Sequence, residues 1–285
     1  MTNPILVTGA LGNVGTEVIK RLQAEGREIR AADIDVAKMR VRFGSSVESV
    51  HFDFAQPQSY EQTFSGVEKM FLMRPPHIAD VKRHMFPALD TAKRTGVKHV
   101  VFLSLIGMEK AKFIPHYKVE EYLKALDFQT TFLRCSFFMQ NLNTTHRREI
   151  KERNEIFVPV GNARTSFIDV RDIGAIASTA LTEPGHENNN YDLTGSEALD
   201  YWQAANILSD TLGREITYRN PNPLGYLIKT IRSGAPLMYT LVTMVLYTST
   251  RFGMADVVTK DVERLLHRKP ISLQQFVQDY KNDWV

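Results

Sequence analysis

The sequence predicts an α/β protein: a doubly wound parallel sheet with helices on both faces. Three observations predict it. Through the first half, short β-favouring apolar runs alternate with stretches of helical period. At the start, Gly9, Gly12 and Gly15 punctuate a tight turn between a strand-like run and a helix-like run. The second strand-like run then ends in an acid, Asp33.

The elements follow in order. Residues 5–7 form a short apolar strand, and Val14, Val18 and Leu22 recur four apart on one helix face. Residues 28–32 read as a second strand and 47–54 as a third. Residues 69–73 make a fourth, broken by Arg74-Pro75-Pro76 because proline cannot continue a ladder. Ile78, Val81, Met85, Leu89 and Ala92 mark one helix ending near Gly96. Residues 97–105 form a long apolar strand, 116–126 a helix with Val119, Tyr122, Leu123 and Leu126 on one face, and 130–133 a further strand. Such alternation calls for both sheet faces to be covered.

The second half is less regular. Residues 157–161 read as a short strand and turn, 166–170 as a strand, 171–181 as a helix and 190–194 as a strand. Tyr201, Ala204, Leu208 and Leu212 form a helical stripe stopped by Gly213, with Tyr201-Trp202 assigned to the core. Ser272 with Gln275 is a capping-box pattern. No internal repeat or flexible linker stands out. The division expected is residues 1–145 as a nucleotide-binding domain and 146–285 as a smaller substrate lobe, with segments near 165–195 returning to the sheet.

Bulk properties narrow the class. A net charge of +3 gives no reason to invoke nucleic acid. Cys135 is the single cysteine, which excludes an intrachain disulfide framework and a cysteine metal cluster. The eight histidines show no metal-ligand spacing, so no metal is expected. With no signal-peptide pattern at the start, a reducing, cytoplasmic setting is the expectation. Residues 233–250 carry no charge, and Arg232 and Arg251 flank them. This stretch falls short of the about 20 apolar residues of a membrane span. The expectation is a buried or pocket-lining helix, with an oligomer interface second and membrane contact last.

The glycine turn carries the first functional implication. Glycine lets the turn tighten and lets a ligand approach the backbone, while the following helix offers unpaired N–H groups to a pyrophosphate. Asp33 stands where a ribose-binding carboxylate is expected in a dinucleotide fold. The spacing here is G-x-x-G-x-x-G.

Further segments join this turn: Asp53-Phe54, Phe71-Leu72-Met73-Arg74-Pro75-Pro76, Val100-Val101-Phe102-Leu103-Ser104 and His116-Tyr117-Lys118-Val119-Glu120-Glu121. Thr130-Thr131-Phe132-Leu133-Arg134, Phe137-Phe138-Met139-Gln140-Asn141-Leu142, Ser166-Phe167-Ile168-Asp169-Val170-Arg171-Asp172-Ile173 and Tyr191-Asp192-Leu193-Thr194-Gly195 follow. Together they resemble the NmrA-like branch of the atypical short-chain dehydrogenase/reductase superfamily, over nearly the whole chain. The resemblance implies a Rossmann-type NAD(P)-binding fold. It implies that Gly9, Leu11, Gly12, Asn13 and Val14 hold the pyrophosphate and Asp33 the ribose. It puts Asp53 and Phe54 against adenine, and Leu72, Met73 and Arg74 beside the nicotinamide ribose. Ser104 is counted with the cofactor-binding positions, although Leu105 stands nearer the place of the serine used by typical members. A carboxylate at Asp33 repels a 2′-phosphate, which favours NAD(H) over NADP(H), while Lys38 and Arg40 remain within reach of a phosphate.

Typical members use a Tyr-x-x-x-Lys pair to move the proton that accompanies hydride transfer. That pair is missing: Lys112 falls on the tyrosine position and His116 on the lysine position. His116, a residue type that titrates near neutrality, is the candidate catalytic group, either orienting the ribose or relaying a proton. Asp169 and Asp172 read as a structural strand-to-helix junction. Phe137, Phe138 and Met139, with the helix of 237–247, are expected to give the pocket an apolar wall. The leading expectation is an NAD(P)H-dependent oxidoreductase on a small, largely apolar electrophile, such as a quinone or conjugated carbonyl. The rival is a non-catalytic NAD(P)-responsive regulator acting through a protein partner. The sequence leaves room for a homodimer.

Overall fold

Alternating buried runs and two-faced helices fold as the periodicity requires. The computed structural model describes residues 3–107, 112, 114–251 and 253–285. Along the chain come β1 (Ile5–Thr8), α1 (Asn13–Ala24), β2 (Ile29–Asp33), α2 (Val36–Phe43), β3 (Glu48–His51), α3 (Tyr60–Phe64) and β4 (Lys69–Met73). Then come α4 (Val81–His84), α5 (Phe86–Arg94), β5 (His99–Leu105), α6 (Pro115–Ala125), β6 (Gln129–Cys135), α7 (Arg147–Arg153) and β7 (Glu155–Ile156). The remainder is α8 (Val170–Thr182), β8 (Asn189–Leu193), α9 (Tyr201–Leu212), β9 (Thr217–Tyr218), α10 (Pro223–Arg232), α11 (Leu237–Thr250), α12 (Asp261–Leu266) and α13 (Leu273–Asp279).

The chain divides into two compact units, Met1–Cys135 with Val170–Asp192, and Ser136–Asp169 with Leu193–Val285. In the first, seven strands lie in the order β3-β2-β1-β4-β5-β6-β8 among the described residues. Every pairing from β3 through β6 is parallel. The order reverses between β1 and β4, the switch point where doubly wound sheets bind ligands. Thr8 ties the two strands there, its Oγ1 donating to Phe71 O (3.2 Å) and accepting from Met73 N (3.0 Å). Leu6, Met70, Phe102 and Phe132 anchor the core on one side of the sheet.

Several elements differ from the sequence reading. The helix expected over 78–96 is two helices, α4 and α5, because Pro87 opens α5 and has no N–H to extend the preceding turn. The third strand stops at His51. Phe52 and Phe54 leave the sheet and pack edge to face with ring centroids 4.7 Å apart.

The second unit has its own core, built around Ile156, Tyr201, Tyr218, Phe276 and Trp284. β7 pairs with β9 in parallel. The strand expected at 157–161 is instead Glu155–Ile156, followed by irregular chain through Pro159. Residues 166–170 make only single bridges, Phe138 to Ile168 and, next to them, Thr165 to Leu199, because Ser166 N turns to Ala255 O. Asp200 with Gln203 makes the full capping box that Ser272 makes only by half. Trp202 is 45% exposed, its ring edge-on to Tyr218 at 5.0 Å, so only Tyr201 of that pair is core. α11 is not a buried helix: Tyr247 and Thr240 face inward, whereas Met238, Val242 and Val245 are exposed. No helix among the described residues is long and apolar enough to cross a membrane.

Candidate functional site: a glycine turn and a buried histidine

The site begins where β1 ends. Gly9 has φ +62°, and a Cβ on it would lie 2.2 Å from Met73 Cε. A Cβ on Gly15 would lie 2.2 Å from Gly9 O, so α1 approaches the turn as closely as backbone allows. Gly12 caps α1 without a side chain, and no acid occupies the first helical turn. The helix therefore presents Asn13 and Val14 with its partial positive charge uncompensated. These features fit a dinucleotide diphosphate.

Asp33, at the end of β2, faces this turn. Its Oδ2 accepts from Leu11 N (3.0 Å) and its Oδ1 from Ile34 N (2.8 Å). Arg42 grips the same residue from the other side, Nη1 donating to Leu11 O (3.0 Å) and Thr16 Oγ1 (3.1 Å). Sequence reasoning named Lys38 and Arg40 and missed Arg42. The signal was its place on α2, one helical turn beyond Lys38.

Asp53 holds the turn after β3, accepting from Ala55 N (2.8 Å) and Gln56 Nε2 (3.0 Å). Phe54 is buried in the core, and its carbonyl accepts from Tyr60 Oη (2.6 Å). Leu72 is buried within β4, while Met73 lies across Gly9 and Gly12.

Arg74 is not an exposed loop cation. Its Nη1 donates to the carbonyls of Pro75 (2.9 Å), Pro76 (3.3 Å) and Ile78 (2.6 Å), and its Nε to His116 Nε2 (3.4 Å). Burial lowers its pKa from the ordinary arginine value. His116, at the start of α6, is buried, and its Nδ1 has no partner among the described residues. Burial first, and the Arg74 charge second, push its pKa down to about 3. The expectation that this ring titrates near neutrality is thereby corrected: at neutral pH it is uncharged. With Nε2 accepting from Arg74, the proton lies on Nδ1, an orphaned donor.

Ser104 lies elsewhere. Its hydroxyl donates to Glu120 Oε1 (2.5 Å), and Glu120, 1% exposed, pairs with Arg134 Nη2 (2.7 Å). Sequence reasoning missed this buried group because it joins β5, α6 and β6. Lys112, on the tyrosine position, is exposed.

The second unit holds Phe137 and Phe138, half-buried, and Met139, buried. Phe137 stacks on Tyr247 with centroids 6.0 Å apart. The Tyr247 hydroxyl meets His146 Nε2 (2.7 Å), whose Nδ1 meets Glu149 Oε2 (3.3 Å). Asp169 accepts from Gln140 Nε2 (2.8 Å) inside this unit. So the turn, Asp33, Met73, Arg74 and His116 belong to the first unit, and the aromatic residues to the second.

The model of the NmrA-like family matches residues 1–277. The chain belongs to the NmrA-like family. It is 36% identical over 218 residues to an NAD(P)H azoreductase of Xenophilus azovorans, covering 75% of this chain and 76% of the relative. It is 24% identical over 221 residues to quinone oxidoreductase 2 of Escherichia coli, covering 76% and 77%. Among solved structures, the triphenylmethane reductase of Citrobacter sp., complexed with NADP(H), superposes with a TM-score of 0.85 at 25% identity. The match covers 97% of this chain and 99% of that one.

Proposed function

We propose that this protein is an NAD(P)H-dependent oxidoreductase that passes hydride to a small, largely apolar electrophile of the quinone, azo-dye or conjugated-carbonyl kind. The observation that carries it is the start of α1, free of acid and of any side-chain cap, behind Gly9, Gly12 and Gly15. The names of the relatives support the same reaction class. The nicotinamide coenzyme, when bound, supplies the hydride.

The residues of the chain divide the remaining work. Asn13 and Val14 N–H groups would hold the diphosphate. Arg74 fixes the loop of residues 75–78 and sets the His116 tautomer. The orphaned His116 Nδ1–H would be satisfied by a ribose hydroxyl of the bound coenzyme and would then help to orient it, since a buried donor left unpaired is costly. An uncharged ring with a pKa of about 3 orients and does not deliver a proton at neutral pH. A quinone, which takes its proton from water after hydride arrives, suits this arrangement. Asp33 favours NAD(H) by facing the ribose, and Arg42, across Leu11, offsets that preference for a 2′-phosphate.

The test is oxidation of NADH and of NADPH, followed at the nicotinamide absorbance, across quinones, azo dyes, triphenylmethane dyes and enones. Turnover with at least one class is expected. Tight coenzyme binding with no oxidation across the panel would refute the reading and favour a redox-responsive regulator.

A further inference from the structure

We infer that the α10–α11 hairpin is a docking surface for an anionic lipid membrane. Each helix buries one face and exposes an apolar one. Inward, Tyr226, Thr240 and Tyr247 are buried. Outward, α10 exposes Leu224, Ile228 and Ile231, and α11 exposes Met238, Val242 and Val245. The two outward sets share the spacing i, i+4, i+7, one continuous face of each helix. Met238 is 72% and Val245 62% exposed. Tyr226 Oη donates to Thr243 Oγ1 (3.0 Å), and only residues 233–236 separate the helices, so the stripes belong to one hairpin. Contiguous exposed apolar surface of this kind marks an interaction site.

Charge selects the partner. Residues 216–255 contain no Asp or Glu, but do contain Arg219, Lys229, Arg232 and Arg251. Arg219 and Lys229 are paired with Glu155 at 3.2 and 2.5 Å. Arg232 and Arg251 are exposed and make no ion pair among the described residues, although Arg251 Nε donates to Pro159 O (3.0 Å). A two-fold dimer through this patch would bring two such segments together with no Asp or Glu from either to pair with the exposed arginines. An anionic lipid surface supplies both things the patch lacks, an apolar phase and negative charge. α11, with 14 residues, is about 21 Å long, short of the about 30 Å hydrocarbon core, so the hairpin lies in the interface and does not span it. This placement does not depend on the reductase reading. Given that reading, the electrophile would be drawn from the lipid phase.

The experiment is flotation of the full chain with vesicles of phosphatidylcholine, with and without phosphatidylglycerol. The bound fraction is expected to rise about tenfold with phosphatidylglycerol and to fall in high salt. Met238→Glu with Val242→Glu, at exposed positions, should abolish flotation while thermal unfolding and coenzyme affinity stay unchanged. Arg232→Glu should weaken it by several-fold. No flotation on either vesicle overturns the proposal. So does equal flotation without phosphatidylglycerol, or with Met238→Glu/Val242→Glu. So does a solution dimer that Met238→Glu/Val242→Glu dissociates, which would make the face a protein interface.

Discussion

Protonation of His116 should be paid for in stability, and the size of the effect follows from its surroundings. In the folded chain the ring stays neutral down to about pH 3, because burial and then the Arg74 charge oppose its protonation. In the unfolded chain it takes a proton near pH 6.5. Above pH 6.5 neither state binds that proton, so the group contributes nothing there. As pH falls below 6.5, only the unfolded chain protonates, and folding is progressively disfavoured. The slope is about 1.4 kcal/mol per pH unit, approaching about 5 kcal/mol near pH 3. His99, held near pKa 4 by burial, acts in the same direction. It is therefore removed by comparing the wild type with His116→Gln. Urea unfolding from pH 7 to pH 5 should show the wild type losing about 2 kcal/mol more than His116→Gln over that range. Equal pH slopes would refute the argument, as would a His116 ring resonance that titrates near pH 6.5.

Other sites give sharper, local outcomes. Gly15→Ala places a Cβ 2.2 Å from Gly9 O, which is backbone and cannot step aside. A stability loss of about 1–3 kcal/mol is expected, with a collapse in coenzyme affinity measured by calorimetry; unchanged affinity would mean the turn holds no diphosphate. Glu120→Ala removes the buried carboxylate that Arg134 Nη2 holds at 2.7 Å and that accepts from Ser104, and should cost about 3–5 kcal/mol in urea unfolding; less than about 1 kcal/mol would show the pair to be solvated. Asp33→Ala frees Leu11 N and should weaken both coenzymes, NADH more than NADPH; an equal loss would remove Asp33 from the ribose.

Much of the fold was legible because it depends on local pattern. The four-residue recurrence of Val14, Val18 and Leu22, the three glycines, and Asp33 after a strand are properties of short windows, and each stands where its window implied. Proline placed the helix break at Met85, but the apolar stripe from Ile78 to Ala92 concealed it, since periodicity counts side chains and not missing N–H groups.

What the tertiary structure decided is every property set by a distant neighbour. Nothing near His116 in sequence announces the burial that keeps its ring neutral, or the guanidinium of Arg74, 42 residues away, that donates to it and adds to the effect. The same holds for Arg42 on Leu11, and for Ser104 turned into the Glu120–Arg134 pair. Residues 237–247 are the plainest case. An apolar residue has the same hydropathy whether it meets a core or water, so only packing revealed that one face of this helix is open. Sequence determines periodicity and turn chemistry, which are local. Protonation state and the fate of an apolar face are set by desolvation, which depends on the whole fold.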